Sequence, residues 1–126
     1  MFSSNKYHAV QGGGLTVVAL SMTTRGGSKI LVFDFETFKH DWLVCIYDVG
    51  KCKMIDIIND KTALSEFYHE HKNDVWIGYN CRNYDIYILQ SILAGFNPKE
   101  VNDFIILQNK KGWQFSRTLK QYPLIT

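Results

Sequence analysis

The chain has 126 residues, of which 46% are apolar and 21% are charged, and its formal net charge is +2. A chain of this length and composition can bury the core of one globular domain, which argues against a disordered or fibrous protein. The small net charge argues against a uniformly basic protein, and the nearest approach to a basic cluster comes late, at Lys110, Lys111, Arg117 and Lys120.

Residues 1–28 are rich in Gly, Ser and Thr, a composition that predicts a flexible or peripheral amino-terminal extension. The stretch "LTVVALS", residues 15–21, leaves a second interpretation open, because it would also suit an extra strand. Its apolar run is too short to span a membrane. We therefore expect the folded domain to occupy residues 29–126.

β-branched and aromatic residues are concentrated at 30–35, 42–47 and 54–58, which predicts three consecutive strands. The links between these strands, "FETFKHD" and "DVGKCK", are short and largely polar. Short polar links favour hairpins, so we expect the three strands to form an antiparallel meander.

A helical pattern follows in "NDKTALSEFYHEH", and either Asp60 or Thr62 can cap this helix. A short buried strand is predicted at 75–79, followed by a second helix within 83–98 that ends near Gly95.

The segment "PKEVNDFII" predicts a third short helix with Pro98 in its first turn. The tail, residues 112–126, has strand-like pieces in "WQFSR" and "PLIT". Together these elements predict an α/β fold, with a mixed β-sheet that contains the three-strand meander and has helices flanking it.

Two carboxylates, Asp34 and Glu36, stand two positions apart in the strand "ILVFDFETF". Residues two apart in a strand face the same side, whereas Phe33 and Phe35 face the opposite layer. Like charges held this close favour a neutralising cation, and hard divalent ions such as Mg²⁺ or Mn²⁺ prefer oxygen ligands. An isolated D-x-E pair can also mark only the solvated end of a strand.

A second polar group stands in "IGYNCRNYDIYIL", residues 77–89, where a buried strand ends at Asn80 and a helix carries Asp85 in its first turn. An aspartate at a helix start is often only a cap or a partner of the helix dipole.

Taken together, "DFET" and "GYNCRNYD" resemble the first two motifs of the ribonuclease H-like DEDD superfamily of 3′-5′ exonucleases. They look most like the proofreading domain of phage-type family B DNA polymerases. The resemblance covers residues 29–108 and implies a ribonuclease H-like fold. It also implies two-metal hydrolysis with Mg²⁺ or Mn²⁺ and single-stranded DNA 3′ ends as substrate. The remainder of a polymerase would be a partner, and no membrane would be involved.

The resemblance also implies roles for individual residues. Asp34 would bridge both metal ions, Glu36 would hold one of them and help orient the attacking water, and Asp85 would complete the metal shell. Asn80 would lie on the substrate side or fix the loop.

Three aromatic residues lie near these motifs: Phe38, Tyr79 and Tyr84. Such side chains could stack on unpaired bases at a 3′ end. The alternative for each of them is half-buried packing.

The third motif of the family is a Tyr or His followed four residues later by a metal-binding Asp, and nothing after Asp85 supplies it. The only later aspartate is Asp103, and Lys99 stands where Tyr or His is required. We therefore interpret Asp103 as a solvated helix residue. The chain is expected to be the first portion of a longer exonuclease or polymerase, lacking the carboxy-terminal part of the fold and having an incomplete site. The alternative is a non-catalytic nucleic-acid-binding or protein-interaction module of the same fold.

The chain has four histidines: His8, His40, His69 and His71. None has a recognised metal-ligand spacing, so all four are predicted at the surface. Cys45 and Cys81 are predicted as small buried apolar groups. The odd count of three cysteines, without a C-x-x-C pair, favours a reducing cytoplasmic setting.

Overall fold

The computed structural model describes residues 28–126. Apart from Ser28, the predicted amino-terminal extension lies outside the described residues, as does the possible strand at 15–21.

Three successive strands, β1 (Ile30–Thr37), β2 (Trp42–Asp48) and β3 (Lys53–Ile58), pair antiparallel. A short fourth strand, β4 (Val75–Ile77), pairs parallel with β1, so the order across the sheet is β3-β2-β1-β4. The predicted meander and the predicted mixed sheet are confirmed. Because parallel neighbours cannot be joined by a hairpin, the chain must cross over between β3 and β4.

The crossover is made by helix α1 (Lys61–His71). Asp60 is its N-cap, since its Oδ1 accepts a hydrogen bond of 2.9 Å from the backbone N–H of Ala63. Of the two caps that the sequence allows, the structure therefore uses Asp60 and leaves Thr62 inside the helix.

Two further helices confirm the predicted alternation, α2 (Ile86–Ala94) and α3 (Pro98–Ile106). Helix α2 ends at Gly95, whose φ of 90° is in the left-handed region that glycine adopts without steric cost. The Asn97 side chain caps α3 by accepting from the Lys99 N–H at 2.9 Å. Within the described part of the chain, no helix has the length and apolarity needed to cross a lipid bilayer.

The central strand β2 is buried on both faces. Val44 and Ile46 belong to the main core, which the three helices cover from one side of the sheet. Cys45 and Tyr47 face the other side and belong to a second, smaller cluster. A strand buried on both faces reads as a continuous apolar run, as "WLVCIY" does.

The tail does not form the two predicted strands. It folds instead into two 3₁₀ turns, Gly112–Gln114 and Arg117–Gln121, and the second of these buries Leu119 in the domain. Only Ile125 pairs with the sheet, through a single parallel bridge to Val75. Packing of Leu119 therefore overrides the weak local strand preference of this segment.

Cys45 and Cys81 are buried as predicted, but the prediction for one histidine is wrong. The His71 side chain is only 12% exposed, with its Nδ1 2.8 Å from Asp74 Oδ2 and its ring 4.2 Å from that of Phe67. It is covered because the last turn of α1 packs beside β4. The other two described histidines are exposed.

Replacement of the α1 cap should weaken the fold. Asp60→Ala removes the acceptor for the Ala63 N–H and should lower the free energy of unfolding by about 1 kcal/mol, whereas Thr62→Ala, two residues further on, should leave it almost unchanged. Urea titration of both variants measures the difference. An equal loss in both would mean that the hydrogen bond from the Ala63 N–H to Asp60 does not set the stability of α1.

Candidate functional site

The site is built where β1 continues beyond its parallel neighbour. Strand β4 pairs only with residues 30–32 of β1, so within residues 28–126 no strand lies beside the remaining edge of β1. At this edge the backbone N–H of Phe35 donates a buried hydrogen bond of 3.1 Å to Oδ1 of Asp85. The Asp85 carboxylate, whose residue is 4% exposed, therefore takes the place of a strand carbonyl.

This contact brings the two sequence motifs together, since Phe35 stands between the two carboxylates of the first motif. Asp34 is half-buried and Glu36 is exposed, whereas Phe33 on the other face belongs to the main core. Asp85 of the second motif thus meets β1 between Asp34 and Glu36.

A π-helical turn, Cys81–Asp85, connects β4 to α2 and aims Asp85 at β1. The carbonyl of Asn80 accepts from the backbone N–H groups of Asn83 and Tyr84, at 3.2 and 3.0 Å. The Asn80 side chain, which is exposed, also accepts from Asn83 Nδ2 at 3.2 Å. Asn80 therefore holds the start of this turn with both its backbone and its side chain, and π-helical turns are frequent at functional sites.

Gly78 allows the turn to lie against β1. A Cβ at this position would stand 3.0 Å from the carbonyl oxygen of Phe33, and 3.5 Å from Oδ2 of Asp85. A residue with a side chain at this position would therefore fit only if the neighbouring atoms moved by a few tenths of an ångström. This role of Gly78 was not predicted from the sequence, although a glycine directly after a buried strand is a signal for a close approach.

The Tyr84 hydroxyl connects β1 to α3. It donates to Asn102 Oδ1, and it lies 3.1 Å from the Thr37 hydroxyl, which is then the donor in that pair. Burial raises the pKa of Tyr84 above its ordinary value, and the negative charges of Asp85 and Asp34 raise it further against the Thr37 hydrogen bond. The fields of these two carboxylates therefore overlap at one hydroxyl.

Asp103 lies on a partly exposed face of α3. Its carboxylate is one third exposed, pairs with Lys99 Nζ at 2.7 Å and accepts from Asn102 Nδ2 at 3.1 Å. The hydrogen bond from Lys99, followed by that from Asn102, lowers the pKa of Asp103. Its charge also raises the pKa of Tyr84, so Asp103 lies close to the site although it lacks the Tyr or His of the third motif.

The three aromatic residues considered for stacking differ in their surroundings. Phe38 is 55% exposed, and Tyr79 is fully exposed. Tyr79 lies with Asn80 and Arg82 in the lining of a pocket of about 340 Å³ beside the second motif. Tyr84 is half-buried, and its hydroxyl donates a hydrogen bond to Asn102.

The site offers hard oxygen donors, but its described side chains do not form a complete set of ligands for a metal ion. Among residues 28–126, no group of three or more His, Cys, Asp or Glu side chains is placed to hold a metal ion. Mg²⁺ commonly binds through one or two carboxylates and takes its other ligands from water and phosphate oxygens. The carboxylates of Asp34 and Asp85 match such an ion in donor type and charge, and both are near enough to Tyr84 to raise its pKa.

The chain matches no protein-family model, and neither the curated proteins nor the solved structures gave a match. The arrangement at the edge of β1 therefore has to be interpreted from its own geometry.

Removal of the Asp85 carboxylate should destabilise the fold through the Phe35 amide. Asp85→Ala leaves that buried N–H without its acceptor, which should cost about 1–3 kcal/mol of unfolding free energy. Asp85→Asn keeps an acceptor oxygen and should cost less. Denaturant unfolding measures both, with Glu66→Ala on the exposed face of α1 as control. Equal losses in the two Asp85 variants would contradict a role for the hydrogen bond.

The thiol of Cys81 should make the fold sensitive to alkali. Burial, followed by the charge of Asp85, raises the pKa of Cys81 from 9.0 to about 12. The folded chain therefore holds this proton more tightly than the unfolded chain does. The resulting stability is complete below the ordinary thiol pKa and is lost as the pH rises towards the folded value. Unfolding free energy measured across this range should fall more steeply for the wild type than for Cys81→Ala, and Cys52→Ala, at an exposed thiol, should follow the wild type.

Proposed function

We propose that the chain is the 3′-5′ exonuclease portion, of the proofreading type, of a phage-type DNA polymerase. It would act in the cytoplasm on the 3′ ends of single-stranded DNA. The observation that carries this proposal is the buried hydrogen bond between Phe35 and Asp85, which joins the "DFET" motif to the "GYNCRNYD" motif. The four-stranded mixed sheet is compatible with a ribonuclease H-like fold, which we include in the proposal.

In this proposal Asp34, Glu36 and Asp85 would hold divalent metal ions. Bound Mg²⁺ or Mn²⁺ supplies Lewis-acid stabilisation of the attacking and leaving oxygens at phosphorus. The chain contributes the negative charge that attracts the ions and the rigidity that positions them. Asp85 is fixed by its backbone partner, whereas the exposed Glu36 can adjust to a ligand.

The protonated Tyr84 hydroxyl adds no anion to this site. A tyrosine with an ordinary pKa is already neutral at physiological pH, and the raised pKa of Tyr84 favours the same protonated form, which links the Thr37 hydroxyl to Asn102. We infer that Tyr84 positions the second motif against β1, so that the distance between Asp34 and Asp85 is held by packing as well as by the Phe35 hydrogen bond.

A non-catalytic module of the same architecture is the competing proposal. The observation that favours it is that, within the described residues, the acids do not form a three-ligand metal group. Such a module would retain the Phe35 and Asp85 contact only as part of its fold.

Cleavage of single-stranded DNA separates the two proposals. A 5′-labelled strand incubated with the chain and Mn²⁺ should give a ladder of products shortened from the 3′ end. Asp34→Asn and Glu36→Gln should reduce the rate by about 100-fold or more, since even an outer partner of a metal ligand is worth about 10- to 100-fold. Glu66→Gln, the same change of carboxylate to amide on exposed α1, is the matched control.

Thermal stability provides a readout that does not need turnover. Mn²⁺ should raise the melting temperature of the wild type and of Glu66→Gln, and it should leave that of Asp34→Asn unchanged. If the wild type shows neither cleavage nor metal stabilisation that depends on Asp34, the non-catalytic module is the better interpretation.

A further inference from the structure

A second polar surface lies beside the site, between the start of α2 and the loop that follows α3. It is a pocket of about 300 Å³ whose lining includes Asn83, Tyr87, Lys110, Lys111 and Trp113. We call these five residues the basic groove. The described residues that line it include two lysines and no carboxylate.

The loop that carries the two lysines is held in place by the fold. The Lys110 N–H donates to the carbonyl of Phe104 at 3.1 Å, and the Lys111 N–H donates to Gln114 Oε1 at 3.1 Å. Gly112 is buried against Tyr87, since a Cβ there would lie 2.2 Å from the Tyr87 ring. The lysines are therefore presented at defined positions beside α2.

Both lysine charges face solvent without a carboxylate partner among residues 28–126, where the ion pairs involve other lysines. Lys110 Nζ lies 5.3 Å from the centre of the Phe104 ring, a cation–π distance that keeps the ammonium at the surface. An anionic ligand would gain from two such charges at small cost, because no existing ion pair has to be broken.

Trp113 is the exposed aromatic residue of the groove. Its side chain is 59% exposed, whereas Trp42 and Trp76 are buried in the core. A phosphate chain with bases needs lysines for its backbone and an aromatic face for its bases, and such grooves bind single strands with little sequence preference. Exposed Trp113 next to Lys110 and Lys111 provides this combination.

Asn83 connects the basic groove to the candidate site. It lines the groove, and its side chain donates to Asn80 in the turn that aims Asp85 at β1. Asn80 and Asn83 also line the pocket beside the second motif. The basic groove and the pocket beside the second motif therefore meet at Asn83.

We propose that the basic groove binds single-stranded DNA, with Lys110 and Lys111 at the phosphates and Trp113 stacked on a base. The course of the strand onward to Asp34 and Asp85 rests on the proposed function. Binding in the groove does not, because it involves none of the carboxylates.

Binding can be measured on the full chain in EDTA, so that no cleavage occurs. The probe is a labelled oligothymidylate of about 12 nucleotides, within the range of site sizes of single-strand grooves. The double variant Lys110→Ala/Lys111→Ala should weaken binding at least tenfold. It should also reduce the slope of log K against log salt by about 1.4, since each phosphate contact contributes about 0.7 on a single strand.

The matched control is Lys51→Ala/Lys53→Ala. It removes the same charge from two exposed lysines of the β2–β3 hairpin, which line a different pocket. This variant should bind as the wild type does. An equal loss in both double variants would overturn the assignment, because binding would then follow net charge alone.

Trp113 reports directly on stacking, because it is the exposed tryptophan of the described chain and the other two are buried. Oligothymidylate should quench the tryptophan fluorescence of the wild type. Trp113→Leu should abolish this quenching and weaken binding about fivefold or more, whereas Trp113→Phe should restore much of the affinity. Tight binding without any change in Trp113 emission, or equal binding of a duplex of the same length, would overturn the proposal.

The two proposals can fail separately. Asp34→Asn should lose cleavage and should still bind oligothymidylate in EDTA. If the wild type binds through Lys110, Lys111 and Trp113 but shows no cleavage or metal stabilisation, the nuclease proposal fails and the groove stands. If cleavage depends on Asp34 but binding ignores the groove variants, the groove assignment fails.

Discussion

The buried hydrogen bond from the Phe35 amide to the Asp85 carboxylate organises the whole edge of the sheet. Strand β4 is too short to pair with the later part of β1, so a backbone donor there would be left without an acceptor. An ionised carboxylate is a stronger acceptor than a carbonyl. The same contact that satisfies the backbone also holds an acid beside Asp34 and Glu36, so fold and candidate site depend on one bond.

That bond has electrostatic consequences for its neighbours. Cys81 and Tyr84 both have raised pKa values, caused first by burial and then in part by the charge of Asp85. Both shifts favour the protonated, uncharged forms, so Cys81 and Tyr84 add no negative charge next to Asp85. The positive charges of Lys110 and Lys111 lie apart from these acids, in the loop after α3. In the nuclease proposed above, such separation of charge would suit a polyanionic ligand that approaches the metal-binding carboxylates.

Local patterns predicted the elements whose causes are local. The meander follows from runs of β-branched and aromatic residues joined by short polar links, and α1 follows from its periodicity and from the cap at Asp60. The tail was predicted wrongly, because burial of Leu119 and the seating of Gly112 on Tyr87 are long-range packing effects. His71 was also placed wrongly, although its partners Phe67 and Asp74 are only four and three residues away, because its exposure depends on how these side chains pack and not on the spacing of histidines along the chain.

The sequence by itself determined that Asp34 and Glu36 share a side of one strand, because the period of two is a property of the backbone. It also indicated that Asp85 follows a buried strand at the start of a helix. Only the tertiary structure decided that Asp85 reaches the Phe35 amide, fifty residues away along the chain. That contact depends on where β4 ends, on the π-helical turn and on the missing side chain of Gly78. Periodicity carries no information on such distances, because they are fixed by how separate elements pack.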